Sequence, residues 1–415
     1  MLNLLINLAY VILLGYFFYH RFYSGVLALI TIGSFLYSSL LNMIGITSAH
    51  LPLRYILILT LFIFTIYENK EIIKLYNYKI ISLLIGFLII ITITNLFTQN
   101  PVSAISPNYV RNIYLYTFIP AILISYLFFI SYDIEKLLMA LASVGLLTIF
   151  FLIANFSLSL FFQLGREFFS EVTQLDTIST SRLVAMPFVV SIIYMWDSER
   201  VKWLRILSAG IAILCVILIL AMGQRATVLG ISISLVAFYM FTDAGFLKKV
   251  TNVLSIGLII AVTIFFIGTE NLFIIDRFML LNSQYIQNTE RFMDYFNTWE
   301  LAKSNYFILG AGTEGYSYFT NQMREYPHSI ILESFADYGL LGLILILSII
   351  GYSLSYSIYI FRYGLNSEKA VPMIFIVILV SALFSGSFAT NHLFFTMDEL
   401  VVNNQIDANG YALNS

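Results

Sequence analysis

Residues 203–243, WLRILSAGIAILCVILILAMGQRATVLGISISLVAFYMFTD, decide the fold. They hold two apolar runs, 203–222 and 226–243, parted by one tight turn at Gly223, Gln224 and Arg225. About 20 apolar residues wound as a helix cross roughly 30 Å of hydrocarbon, so the pair predicts two transmembrane helices. Comparable runs extend to both sides, near 2–19, 22–44, 51–67, 79–97, 113–131, 135–156, 182–197, 251–268, 339–361 and 370–390. The expectation is an all-α polytopic membrane protein with about 12 transmembrane helices. Most connections are short. The stretches 98–112 and 157–181 are longer, and 269–338 is far longer. That last one reads as a large extracytoplasmic loop containing short helices, inserted between the tenth and eleventh spans. With no internal repeat and no Pro-rich linker, 1–415 reads as a single transmembrane domain carrying this insertion.

Composition supports the same class. Of 415 residues, 60% are hydrophobic and only 11% are charged, too few charges to cover a soluble surface of this size. The net charge of -2 gives no basic patch and argues against nucleic acid as a partner. Cys215, inside an apolar run, is the one cysteine, so neither a disulfide framework nor a thiolate metal site is expected. The first run, 2–19, lacks a basic flank and a small-residue cleavage site, and reads as a retained span.

Basic residues set the expected orientation. Alternate short loops carry Arg21, Lys70, Lys74, Lys79, Lys136, Arg200, Lys202, Arg205, Lys248, Lys249, Arg362 and Lys369. The opposite short connections carry only Arg54, Arg111, Arg166, Arg182 and Arg225. The first side is therefore expected to be cytoplasmic, and both termini and the long loop to face outward. The outer side is also biased in kind: with the long loop it adds Arg277, Arg291 and Arg324 against a single lysine, Lys303. Topology needs only positive charge, whereas a planar guanidinium grips phosphate or carboxylate through two hydrogen bonds. An outer site for an anion is the favoured reading; interfacial snorkelling is the plain one.

Four stretches carry candidate chemistry. Arg225 sits in a turn so short that it must lie at the membrane boundary, where a charge is expensive and commonly functional. Arg182 follows Ser179, Thr180 and Ser181, each able to cap a helix start, and an arginine beside a helix N-terminus suits a phosphate. In the long loop, Phe292, Phe296, Trp299 and Tyr306 fall on one helical face, read as packing before sugar stacking. Arg291 opens that helix beside Glu290. Gly310-Ala311-Gly312-Thr313-Glu314-Gly315 matches G-x-G-x-x-G. No strand–helix units surround it, so a dinucleotide site is rejected, and Gly310 and Gly312 read as a tight turn where backbone approaches substrate. Finally, Tyr326-Pro327-His328-Ser329 precedes an apolar helix. Pro at the first helical position would put His328 in the first turn, kept neutral by the helix dipole, as a general base requires. His20, His50 and His392 show no ligand spacing around it, so no metal is expected. Glu290, Glu300, Glu314 and Glu333 are reserve carboxylates.

An arginine, then Trp299, then Leu309-Gly310-Ala311-Gly312, then Pro327-His328-Ser329, then Glu333 and Gly339-Leu340-Leu341-Gly342 form a string across 289–345. It resembles the shared pattern of the O-antigen ligase and O-antigen polymerase family, and Gln224-Arg225 resembles the arginine before a late helix in that family. The resemblance covers roughly 180–390. Many members carry Asn after the His, where this chain has Ser329.

The resemblance implies an inner-membrane glycosyltransferase of a bacterial envelope, with its active site facing the periplasm or exterior. The implied donor is an undecaprenyl-diphosphate-linked glycan, and the acceptor is a glycan or lipid-linked acceptor. His328 would be the base; Arg225 would grip the diphosphate, with Arg182 and Arg291 supporting; Glu333, Gly310 and Gly312 are supporting positions. The mechanism would be metal-independent, cofactor-free and inverting. A polymerase is favoured over a ligase that delivers the glycan to lipid A–core or another acceptor. Membrane lipid surrounds the protein, and a chain-length regulator is a candidate protein partner. The rival from another class is a flippase or transporter of lipid-linked glycans, which would be expected to show internal repeats and ionisable residues at span centres; a membrane scaffold is weaker still.

Overall fold

The computed structural model describes residues 2–43, 56–61, 78–97, 113–130, 133–155, 177–197, 199–242, 290–303, 306–320, 326–384 and 391–403, with isolated positions between them. All regular structure among them is helical. In chain order the helices are α1 Leu2–Tyr19, α2 Tyr23–Thr31, α3 Ser34–Met43, α4 Tyr78–Phe97, a π-turn at Ile113–Phe118 leading into α5 Ile119–Ile130, and α6 Ile134–Asn155. There follow α7 Thr177–Trp196, α8 Lys202–Ala221, α9 Arg225–Phe241, α10 Glu290–Lys303, α11 Gly315–Phe319, α12 Ile330–Tyr363, α13 Ala370–Phe384 and α14 His392–Asn403. Five described helices are long and apolar enough to cross a membrane: α4, α6, α7, α8 and α12. Of the expected span at 51–67 the structure describes helical residues 56–61 and a few single positions; the span at 251–268, but for Thr251, and much of the 269–338 loop lie outside the described residues.

One expected span, 22–44, is broken. α2 and α3 meet at 79°. The ladder ends where Ile32 N–H donates to Ala28 O, and restarts where Leu36 and Tyr37 N–H both donate to Gly33 O. Gly33 thus serves as the carbonyl cap of a new helix, which an apolar count along the chain does not register. The pair is a bent span or a re-entrant segment, not one straight crossing.

Contacts divide the chain into two compact units. The first comprises Met1–Leu75, Leu123–Met279 and Ile358–Val377. Its centre is α7, buried along most of its length. Pro187 lies inside α7 and removes a helical donor. Gly145 of α6 sits directly opposite: a Cβ there would fall 2.3 Å from both Leu183 O and the Pro187 ring. Glycine therefore lets α6 approach the backbone of α7 where its ladder is open. At one end of α7, Arg200 pairs with Glu135 at the start of α6, and Tyr194 Oη donates to the same carboxylate at 2.8 Å. At the other end, Gln224 Nε2 donates to Thr177 Oγ1 at 2.8 Å, and the hydroxyls of Ser181 and Thr227 meet at 2.6 Å.

The second unit comprises Tyr76–Ile122, Leu280–Ser357 and Ile378–Ser415. Phe87 of α4 lies 5.8 Å from Phe118 and 5.5 Å from Tyr338, and Phe118 lies 4.5 Å from Phe395 of α14, ring centre to ring centre. α14 was not expected, since twelve residues are too short to read as a span. It is nevertheless deeply buried, and Ser353 of α12 donates to its fully buried Asp398.

Candidate active site

The glycine string of the long loop is explained by a close backbone approach. α12 is interrupted at Gly339, whose φ of 64° and ψ of −158° suit glycine alone. The segment 307–312 runs against this break. Ala311 N–H donates to Ala336 O at 3.0 Å, Gly312 N–H to Asp337 O at 2.9 Å, and Leu340 N–H to Phe307 O at 2.8 Å. A Cβ on Gly310 would fall 2.3 Å from Asp337 O, and one on Gly339 would fall 2.4 Å from Ile308 O. Gly310 and Gly312 also hold φ of 78° and 85°. The expected tight turn is there, but the backbone it approaches is the protein's own. The sequence reading paired neither Gly339 with Gly310 nor the loop with the helix break, because the partners lie far apart along the chain.

Asp337, buried beneath this latch, caps the short helix α11. Its carboxylate accepts Glu314 N–H and Tyr316 N–H, each at 3.2 Å. α4 holds the far side: Asn95 exchanges two hydrogen bonds with Thr313, at 2.8 and 2.9 Å, and Thr94 donates to Leu309 O. Tyr316 is thereby set in place, and its hydroxyl donates to Asp294 of α10 at 2.7 Å.

His328 lies against that same carboxylate. Its Nδ1 is 3.5 Å from Asp294 Oδ2. The Tyr326 ring packs on the imidazole, tilted by 33° with ring centres 4.7 Å apart. The expected first-turn position is corrected: α12 starts at Ile330, and His328 precedes it in the left-handed region with φ of 49°. Pro at 327 does not start the helix; Ser329 O accepts its first bond, from Glu333 N–H. The imidazole is therefore set by a strained loop and by Asp294 rather than by a place inside the helix. Glu333 is buried in the first turn of α12. Asp294 is a residue the sequence reading missed. Its signal was available: Asp294, Thr298 and Leu301 recur at helical spacing and form the buried face of α10. The aromatic stripe taken as packing is instead exposed at Phe296, Trp299 and Tyr306. Arg291 lies in the first turn of α10, but its side chain is outside what the structure describes.

The other two arginines lie in the first unit, at one end of α7. Arg182 was expected at a helix start, yet α7 begins at Thr177, so Arg182 is inside the helix and almost fully buried. Ser181 does not cap the helix; its hydroxyl donates back to Ile178 O and meets Thr227. The open helix start belongs to Arg225 instead. Gly223, with φ of 62°, turns the chain there, and Gln224 makes no side-chain cap. The first turn of a helix is a place where a guanidinium and backbone N–H groups can act together on an anion. The two hydrogen bonds from α7 to Gln224 and Thr227 bring the Arg182 turn and the Arg225 turn into one neighbourhood. Among the described residues no three His, Cys, Asp or Glu side chains converge as a metal site would require.

Residues 210–347 match the family model described as O-antigen ligase. The matched stretch contains Arg225, Asp294, Gly310, His328 and Gly339, and it supports placing the chain in the O-antigen ligase and polymerase family. No curated protein matches the chain.

Proposed function

We propose that the protein transfers or polymerises undecaprenyl-diphosphate-linked glycans at the outer leaflet. The supporting observation is the family match, which covers both the helix-start arginine and the strained histidine on one stretch of chain. In this reading Arg225, with Arg182 and Arg291, neutralises the donor diphosphate. His328 takes the proton of an acceptor hydroxyl. That oxygen forms the new bond to the anomeric carbon as the carbon–oxygen bond to the diphosphate breaks, so a single displacement inverts the centre. The diphosphate leaves on its lipid, and the reading needs neither metal nor cofactor. Gly310 and Gly312 shape the loop that carries the base, and Glu333 buttresses its helix. About 12 spans, with the long loop outward from the inner membrane of a bacterium, would give the donor lipid its bilayer.

The acceptor defines two readings. A second lipid-linked glycan makes the protein a polymerase, with a chain-length regulator as a natural partner. Lipid A–core or another acceptor makes it a ligase, and the similarity to O-antigen ligases fits that reading equally. Deleting the gene and inspecting surface glycan separates them. Loss of the polymer ladder with one repeat still attached means polymerase. Loss of all attached glycan, with lipid-linked polymer accumulating, means ligase. An unchanged surface glycan profile would end both.

A further inference from the structure

We propose that Asp294 is a positioning residue for His328, holding the neutral imidazole as its Nδ1–H tautomer so that Nε2 is the atom that accepts the proton. The role of that atom in transfer rests on the function proposed above; the tautomer does not.

The geometry is that of two polar atoms left for each other. Asp294 is 1% exposed, so its carboxylate sits where an unmet charge is costly. Oδ1 is used by Tyr316. Oδ2 is buried and makes no hydrogen bond, and His328 Nδ1 is buried and makes none either. The pair is 3.5 Å apart, longer than a well-formed hydrogen bond. Contacts of this kind are commonly long before substrate binds. The His328 side chain is 32% exposed although Nδ1 is buried, so its exposure lies on the rest of the ring. The arrangement is held from several sides. Tyr316 locks the carboxylate, Asp337 locks the turn that carries Tyr316, and Tyr326 packs on the ring. Among the described residues, Asp294 on α10 and Tyr326 in its own loop face the imidazole, Tyr316 on α11 bonds the same carboxylate, and Glu333 lies in the following helical turn. A carboxylate that accepts Nδ1–H leaves Nε2 as the lone-pair nitrogen and stabilises the imidazolium formed when it takes a proton.

The test uses the full-length protein in nanodiscs with 15N-labelled histidine. The chain has only 4 histidines, and His328→Asn identifies the signal. Wild type is expected to show the Nδ1–H tautomer at neutral pH. Asp294→Asn replaces an oxygen that can only accept with an amide that can also donate, so the Nδ1–H preference should be lost and both tautomers appear. Tyr316→Phe keeps the carboxylate but removes the hydrogen bond that fixes it, and should mix the tautomers to a lesser degree. An Nε2–H tautomer in wild type overturns the proposal. So does an unchanged tautomer in Asp294→Asn or, if that variant fails to fold, in Tyr316→Phe. In membranes supplied with polyprenyl-diphosphate-linked glycan, Asp294→Asn should lower kcat roughly 100-fold or more and leave KM within about threefold. If His328→Asn still transfers glycan, the base reading fails while the NMR result stands by itself.

Discussion

His328 occupies backbone space that costs a non-glycine residue about 1 kcal/mol or more, immediately before a helix that could have begun two residues earlier. Strain of that kind persists where the surroundings over-determine it, and here the Tyr326 ring and the Asp294 carboxylate do so. Asn tolerates the left-handed region, so His328→Asn should keep its thermal unfolding midpoint in detergent and lose transfer altogether. A variant that stays active would remove the proposed base. Arg225 offers a sharper chemical contrast. If it grips a diphosphate through two parallel hydrogen bonds, Arg225→Lys keeps the charge but loses the fork and should lower kcat/KM about tenfold or more. Equal rates would reduce Arg225 to a snorkelling cation. Both residues were legible in the sequence. Asp294 was not singled out, because a lone acidic residue on an amphipathic helix reads as solvated until its burial is known.

Among elements, the junction of the 307–312 segment with the break in α12 is the most constrained. Gly339→Ala or Gly310→Ala adds a Cβ within about 2.4 Å of backbone at a positive φ, where neither strand of the junction can yield. Each should cost about 2 kcal/mol or more and lower the unfolding midpoint by several degrees. Gly351→Ala in α12 is the control, since nothing lies within 4 Å of its added Cβ and no positive φ is involved. Unchanged stability in Gly339→Ala would contradict the junction. Periodicity located most of these helices, and hydropathy located α4, α6 and α8 closely. It missed the bend at Gly33 and the early start of α7, because polar residues such as Thr177, Ser179 and Thr180 are half or fully buried against protein instead of lying outside the bilayer.

At the scale of the whole molecule, alternation of basic loops predicts which side each connection faces. Alkaline phosphatase fused within 269–338 should be active, whereas fusions near 133–136 and near 198–202 should be silent. The contact of Arg200 with Glu135 agrees with those last two connections sharing a side, because both lie at one end of α7 while Gln224 and Thr227 pack at the other. Activity of a fusion at 198–202 would invert the topology and move the arginines to the cytoplasm.

The sequence by itself determined that the chain is a multi-pass helical membrane protein, and it singled out the family pattern with Arg225 and His328. Long apolar runs have few alternatives in lipid, and a short motif is a local object. Tertiary structure alone decided that Gly310 exists for Gly339, that Arg182 is buried within a helix, and that Asp294 and Tyr316 stand behind His328. Those are pairings across long stretches of chain. They depend on which faces of separate helices meet, and no periodicity along a single segment encodes that.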